Sequence, residues 1–312
     1  MDRFSEMQAF VAVAERGAFN AAARALNRSP AAVTRLIASL EARLDARLFL
    51  RSTRAIALTE AGERFLVEAR QVLAALAEAE ETASGVHGTP RGTLRITAPV
   101  LFGEMLLAPV LRDFLDANRE VAAELMLLDR VVDLVEEGFD IALRIGELQG
   151  ASLMARRIGT LRLVTVASPA YLARAGTPET PEALRDHRLV AARGLGDGDW
   201  TFRNGERSFV HARSPALSVN TVRAAIDAAV AGFGITRALS YQVQPALARG
   251  SLAEILTPFE TSRIPVHLVH PHGRRVPARV RAFLDFAADA LGQQAAIVRQ
   301  PFSAGEQTLT KT

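Results

Sequence analysis

Three histidines in HLVHPH, His267, His270 and His272, come nearest in this chain to a metal-binding spacing. On a strand, however, positions 267 and 270 point to opposite faces, and no nearby carboxylate completes a ligand set, so the sequence assigns no metal. Cysteine is absent, which excludes disulfides, thiolate nucleophiles and cysteine-ligated metal. There is no G-x-S-x-G, no P-loop and no H-E-x-x-H. The glycine-rich GLGDG (194–198) and GFG (232–234) do not open a helix after a strand, as a nucleotide cradle must, and read as turns. The sequence offers no catalytic residue and no cofactor site, and the chain does not read as an enzyme.

A different chemistry is carried by RSPAAVTRLIASLE (28–41). Ser29 can cap a helix, and Pro30 fits the first helical position, where its missing N–H costs no hydrogen bond. Val33, Leu36, Ile37, Leu40 and Leu44 fall on one stripe at helical spacing and should face a core. The opposite face, with Ala31, Ala32, Thr34, Arg35 and Ala38, is small, polar and basic. Small side chains let a backbone approach base edges, and Thr34 and Arg35 supply donors. Residues 20–57 hold seven arginines (24, 28, 35, 43, 47, 51 and 54) against Glu41 and Asp45, a balance of 7 − 2 = +5. That is a modest footprint for nucleic acid, and a solvated helix face would carry it too.

The elements that must position this face can be read from periodicity. Met7, Phe10, Val11 and Ala14 make a first amphipathic helix closing near Gly17, and Asn20 caps a short helix over 21–26. After a turn at 27–29 the basic stretch supplies a third, and two helices about a tight turn fit a helix-turn-helix. LFLRSTRAIALT (48–59) follows as two short strands. Arg51, Thr53 and Arg54 at its tip could reach phosphates as a wing, or the hairpin could simply be exposed. Thr59 then caps a long helix. In it Leu58, Gly62, Phe65, Ala69, Val72, Leu76, Ala79 and Ala83 form a seam that would pair two chains, or lay the helix on its own domain.

SGVHGTPRG (84–92) breaks the pattern as a hinge. Beyond it strands and helices alternate: strand 93–99, helix 103–117, strand 122–128, helix 129–137 ended by Gly138, and strand 139–145. A second unit starts with strand 161–168 and a helix begun by Ser168-Pro169, and continues with strand 217–220, helix 221–231 and GFGIT. Strand 265–271 and helix 277–291 return to the first unit. This grammar predicts a largely parallel sheet. With 312 residues, 49% hydrophobic, 23% charged and a formal net charge of +3, the chain is large enough for several domains. The divisions expected are 1–58, a linker helix over 59–84, a hinge over 85–92, and an α/β region over 93–292. The last splits into about 93–160 with 266–292, and about 161–265. A loose tail covers 293–312. No secretory signal and no stretch near the roughly 18 apolar residues of a membrane span is present, so a cytoplasmic protein with no membrane partner is expected.

The run AFNAAARALNRSPAAVTRLIASLEARLDARLFLRSTRAIALTEAGERF (18–65) closely resembles the N-terminal domain of LysR-type transcriptional regulators. LEARLDARLFLRSTR followed by LTEAG is similar to that family's passage from recognition helix through wing to linker helix. RITAPVLFGEMLLAPVL, DRVVDLVEEGFDIALRIGEL and ASPAYLARAG resemble its effector domain. The resemblance implies an α + α/β chain: an N-terminal winged helix-turn-helix, a long linker helix, and a C-terminal effector domain of two α/β subdomains similar to periplasmic solute-binding proteins. It further implies dimers through the linker helix (Phe65, Ala69, Val72, Leu76, Ala79), tetramers through the effector domains, and a small molecule bound between the subdomains. Ser29, Pro30, Ala31, Ala32, Thr34 and Arg35 fall where the family reads the major groove, and Arg51, Thr53 and Arg54 where its wing meets the backbone. The family commonly has glutamine after the serine. Pro30 removes that donor, shifting weight towards DNA shape and phosphate contacts.

Ligands of open α/β sheets sit beyond the carboxyl ends of strands, near helix N-termini. This singles out Pro99, Val100, Leu101 and Phe102 in the first unit and Asn220 and Thr221 in the second, with Arg144 and Gly146 bordering the same cleft. Backbone N–H groups at two helix starts would suit a carboxylate. The apolar start after Ala98 instead favours an apolar or aromatic ligand, with Asn220 and Thr221 supplying polarity, although Leu101 and Phe102 could equally be core. The function expected is a regulator that binds specific double-stranded DNA sites, is gated by a small molecule of unknown identity, and alters DNA bending and RNA polymerase access. The alternative is a solute-sequestering binding protein whose N-terminal domain only oligomerises; the arginine-flanked helix-turn-helix and the absent export signal argue against it.

Overall fold

A computed structural model of the chain describes residues 2–51, 56–83, 89–148, 153–192, 200–204, 207–211, 214–260, 263–273, 276–294, 297 and 307–308. Helix α1 (Arg3–Arg16) starts on the Asp2 carboxylate, which accepts from the Phe4 and Ser5 N–H groups, and ends at Gly17, whose φ of 63° is left-handed. Helix α2 (Phe19–Ala25) begins two residues before the expected start. Its first turn follows an extended Ala18 with no side-chain cap, and Asn20 lies inside the helix. After 27–29, α3 (Pro30–Leu44) runs to a left-handed Asp45. The hairpin is β1 (Phe49–Arg51) with β2 (Ile56–Leu58), and the long helix is α4 (Glu60–Ala83). Phe10, Val13, Val33, Ile37, Leu40 and Leu48 form the N-terminal core, and the Phe10 ring lies 5.2 Å from that of Phe49.

Strand β3 (Gly92–Ala98) opens the α/β region. Helix α5 (Val100–Phe102) continues through a π turn (Gly103–Leu107) into α6 (Ala108–Ala117), so this helix starts three residues earlier than expected. Strands β4 (Val121–Leu127) and β5 (Ile141–Ile145) both pair with β3 in parallel. The helix expected over 129–137 does not form. Asp133 instead accepts from the Val135 and Glu136 N–H groups in a turn, and the Val132 carbonyl is taken by Arg144. Adjacent β-branched Val131 and Val132, followed by an aspartate that bonds its own backbone, explain the loss.

Strand β6 (Met154–Ala167) then crosses the whole sheet and leads to α7 (Pro169–Ala175), capped by Ser168. Strands β7 (Leu189–Ala192), β8 (Trp200–Asn204), β9 (Arg207–His211) and β10 (Leu217–Val219) precede α8 (Val222–Val230), β11 (Ile235–Leu239), α9 (Ser240–Ala248) and β12 (Ala253–Ile255). Strand β13 (Arg263–His270) and α10 (Ala278–Gly292) return to the first unit. The main sheet runs β10-β7-β11-β6-β13-β5-β3-β4.

It is mixed rather than largely parallel. β6 runs antiparallel to β11, β12 and β13, and β13 antiparallel to β5. The first part of β6 pairs with β13 and the last part with β11 and β12, so this one strand serves both units. The tail is not wholly loose: Ile297 is buried against the first unit's core, and β14 (Gln307–Thr308) pairs with Met154 and Ala155. Among the described residues no helix is long and apolar enough to cross a membrane.

Candidate nucleic-acid interface and effector site

The first turn of α3 is built as its sequence suggests. The Ser29 hydroxyl oxygen accepts from the Ala32 N–H at 3.2 Å, with Pro30 at the first helical position. Val33, Leu36, Ile37 and Leu40 are buried, Leu44 and Ala32 half-buried, and Ser29, Pro30, Ala31, Thr34, Arg35 and Ala38 exposed. The Thr34 hydroxyl donates to the Pro30 carbonyl at 2.9 Å, so its proton is turned onto its own helix and its oxygen lone pairs face outward. Arg35 makes no hydrogen bond or ion pair among the described residues.

The other arginines divide. Arg43 pairs with Glu6 at 2.9 Å, Arg47 with Glu41 at 3.4 Å, and Arg28 donates to the Ser5 hydroxyl at 3.1 Å. Part of the local positive charge is therefore spent inside the domain. Arg51 ends β1 with its side chain outside the described residues, as are Thr53 and Arg54 altogether.

Two carboxylates that sequence reasoning passed over hold this face in place. Glu41 Oε1 accepts from the Leu48 and Phe49 N–H groups at 2.8 and 3.2 Å, pinning the start of the hairpin to the back of α3. Glu6 accepts from the Ser39 hydroxyl at 2.6 Å and from Arg43, tying α1 to α3. Burial pushes the Glu6 carboxyl up, but the Ser39 and Arg43 bonds outweigh it and hold the group below the usual glutamate range. A signal existed: Glu41 lies four residues after Ile37, and Glu6 four before Phe10, in register with the apolar stripes.

The long helix is fastened at its start. The Thr59 hydroxyl accepts from the Gly62 N–H at 2.9 Å and donates to the Arg47 carbonyl at 2.7 Å. A Cβ on Gly62 would lie 2.2 Å from the Leu48 carbonyl oxygen, so only glycine lets α4 approach the hairpin this closely. The expected seam divides. The Phe65 ring lies tilted against Phe10 with centroids 5.2 Å apart and Ala69 is fully buried, both in their own domain's core. Val72 is 41% exposed and Leu76 half-buried, while the side chain of Ala79 is outside the described residues.

In the α/β region both expected helix starts are already capped from within. The Val100 N–H donates to Asp129 Oδ1 at 3.0 Å, and the Ala224 N–H to the Thr221 hydroxyl at 3.3 Å. Pro99 and Val100 are half-buried and Asn220 and Thr221 exposed, but Leu101 and Phe102 belong to the core and line no open wall. Phe102 meets Tyr241, at the start of α9, edge-on at 5.3 Å. Burial, with a smaller contribution from Asp129, drives the Tyr241 phenol far above its ordinary range, against a hydrogen bond from Gln242. Glu104, in the π turn that follows α5, and Arg223, one residue past the start of α8, approach to 3.9 Å, so the two helix starts face each other across the two units. Arg144 is half-buried and donates to the Val132 carbonyl at 2.7 Å, and Gly146, at φ 111°, donates its N–H to Pro265.

Among the histidines, His270 is buried and stacked on His272 with ring centroids 5.9 Å apart. Contrary to expectation a carboxylate is close, Asp140 lying 3.7 Å from His272 Nε2. Asp140 is nevertheless committed to the Arg95 N–H and to Arg279. No group of three metal-ligating side chains forms among the described residues. Of the glycine-rich turns, 232–234 does bend between α8 and β11, and 194–198 lies outside the described residues.

Residues 4–63 match the family described as bacterial regulatory helix-turn-helix protein, lysR family, and residues 87–292 match the LysR substrate binding domain. The chain is 30% identical to a transcriptional repressor of Pseudomonas aeruginosa, over 97% of this chain and 96% of that one. It resembles the solved structure of the LysR-type regulator CrgA of Neisseria meningitidis at 30% identity, with a TM-score of 0.61 and coverage of 92% and 98%. The full-length Vibrio cholerae virulence activator AphB is similar at 28% identity, TM-score 0.61, covering 92% of this chain and 99% of that one.

Proposed function

The chain belongs to the LysR family of bacterial helix-turn-helix transcriptional regulators, and from that premise we propose that it reads specific promoter sites through the exposed first turn of α3 and is gated by a small molecule held between its two α/β units. The observation that carries the reading is the face formed by Ser29, Pro30, Ala31, Thr34 and Arg35. It is exposed, small and basic, and it is rigidly backed by a buried stripe and by the Glu6 and Glu41 bonds. Arg35 brings a planar fork of donors suited to guanine, and the wing arginines Arg51 and Arg54, with Thr53, would bind phosphate. Pairing of two chains through the outer half of α4, around Val72, Leu76 and Ala79, would set two such faces on the half-sites of one operator. Association of effector regions would extend this to a tetramer.

Gating then needs a ligand with different affinities for two arrangements of the units. Such a ligand shifts their populations, and with them the spacing of the DNA-reading heads and the access of RNA polymerase. The test is selection of fragmented genomic DNA by the purified protein at near-physiological salt, with sequencing of the retained fragments. Enrichment of a few sites with twofold-symmetric halves, lost steeply as salt rises, is the result expected. Uniform retention would leave only architectural binding, and no retention would remove DNA reading altogether.

A further inference from the structure

One arginine touches both the N-terminal domain and the α/β region. Ala69 is buried in the N-terminal core, so this stretch of α4 moves as one body with α1–α3. Arg70, the next residue, donates from Nε and Nη2 to a single Glu15 oxygen on α1, at 3.2 and 2.9 Å. The same side chain lies against the Gly138 turn of the α/β region. A Cβ added at Gly138 would be 3.4 Å from Arg70 Cδ and 3.8 Å from its Nη1. A second guanidinium, that of Arg95, closes on this glycine and donates from Nη1 to its carbonyl at 3.3 Å. Gly138 has a φ of 70°, so the approach of both arginines depends on a residue without a side chain in a left-handed backbone.

On the α/β side the turn is fixed to the sheet. The Gly138 and Phe139 N–H groups donate to the Val135 and Leu134 carbonyls at 3.2 and 2.8 Å, and the Phe139 side chain is buried. Asp140 is tied twice to β3: its carboxylate accepts from the Arg95 N–H at 2.9 Å, and its own N–H donates to the Arg95 carbonyl at 2.8 Å. The segment leading to this turn begins at Asp129, which accepts from the Val100 N–H at the start of α5, and is held midway by Arg144 on the Val132 carbonyl. One short stretch of chain thus bears on the α5 start at one end and on Arg70 at the other. The contact with Arg70 is finely balanced. Packing and the Glu15 pair hold it, against the like charge of Arg95, which Glu124 offsets at 2.9 Å. Partly exposed charges balanced in this way make and break contact at little cost.

We propose that Arg70 is the positioning residue that fixes the DNA-reading head against the α/β region, gripping Glu15 while seated on the Gly138 turn, so that a change in either body is felt by the other. The inference rests on the DNA-reading proposal above and adds a named joint to it. Glu15 and Gly138 lie on neither the first turn of α3 nor the hairpin, so the joint leaves base contacts alone. What it sets is the angle of the head. Two heads held at a fixed angle engage only half-sites of matching separation, and the seat therefore governs half-site spacing rather than base readout.

The test uses the full chain and four duplexes: an operator obtained by the genomic selection, the same operator with its halves moved apart by one base pair, a single half-site, and a scrambled sequence. Affinities are measured for each, and hydrogen exchange of the Gly138 and Phe139 amides is followed with and without DNA. In the unmodified protein the operator should change exchange at these amides, the scrambled duplex should not, and the original spacing should bind more tightly than the lengthened one. Arg70→Ala should erase the exchange response and cut the spacing preference about fivefold or more. Half-site affinity should stay within about twofold, because no base contact is touched. The Arg70–Glu15 pair is 22% and 33% exposed, and a pair this open contributes little to folding, so the variant keeps its fold. Gly138→Ala attacks the seat from the other body. Combined with Arg70→Ala it should add no further loss, since both remove one contact. Arg70→Ala alone decides should Gly138→Ala fail to fold. An unmodified protein whose turn does not respond to the operator, a response or spacing preference that survives Arg70→Ala, or losses that simply add, overturns the joint while leaving DNA reading standing. Failure of the unmodified chain to bind the half-site removes DNA reading, and the joint with it.

Discussion

Arg35 is worth testing first among single residues because it stands on the proposed reading face with nothing to lose at home. Replacing it by alanine removes no internal bond among the described residues. The folded stability should therefore change by less than about 0.5 kcal/mol, while discrimination at one base pair of each half-site should fall by roughly 1–3 kcal/mol. Competition binding between the operator and single-base variants measures this; unaltered discrimination would take Arg35 off the reading face.

Glu6 makes the opposite case, since all its value is internal. Its folded pKa is depressed, so its contribution is fully present above the unfolded glutamate value of about 4.3 and is lost as pH falls through the folded value. Glu6→Gln should cost roughly 1.5–3 kcal/mol near neutrality, and the gap to the unmodified protein should close on acidification below about pH 4. Urea melts across that range decide it, and a gap that stays constant with pH would mean the ionised carboxylate is not what stabilises. Arg35 could be singled out in the sequence because its whole argument lies within one helical turn. Glu6 could not, because Ser39 and Arg43 are 33 and 37 residues away and only the packed helices bring them to it.

At the scale of elements, the linker helix changes its role along its length. Up to Ala69 it is part of the N-terminal core; Val72, three residues on, is 41% exposed and lies outside that core. Charge placed on the two halves should therefore act differently. Ala69→Glu buries an unpaired carboxylate and should unfold the N-terminal domain or shift its melting sharply downward. Val72→Glu and Leu76→Glu should leave the circular dichroism melt nearly unchanged and shift sedimentation velocity from dimer towards monomer. A dimer indifferent to both would move the pairing surface off α4. The periodicity of the seam was readable, but a heptad pattern does not say whether the partner is the same chain or another, and Gly62 and Phe65 settle that only through tertiary contact. The same limit explains the 129–137 stretch. Its acidic and apolar spacing fits a helix, and the competing bonds from Arg144 and Asp133 become visible only once β5 lies beneath it.

For the whole molecule, the decisive question is how strongly the two units are held in one arrangement. The ion pair that links them, Glu104 with Arg223, is half exposed on both sides at 3.9 Å. Such a pair contributes about 0–1 kcal/mol and is weakened further by salt. It biases an equilibrium by at most about fivefold and cannot lock it. The buried Phe102–Tyr241 contact adds apolar cohesion without charge, and β6, threading both units, is the shared strand about which they would move. A structure joined this way suits population shift, because an effector with a few kcal/mol of differential affinity can overturn it. Linkage then makes a strict demand. If an effector changes operator affinity by some factor, typically about 5–150-fold, operator DNA must change the affinity for that effector by the same factor. Calorimetric titration of the effector into free protein and into the protein–operator complex supplies one ratio, and anisotropy of labelled operator with and without saturating effector supplies the other. Equal ratios are the outcome expected of a single two-state regulator. A small molecule that binds while leaving operator affinity untouched would be a passenger, and the units would then have to be treated as energetically independent of the DNA-reading heads.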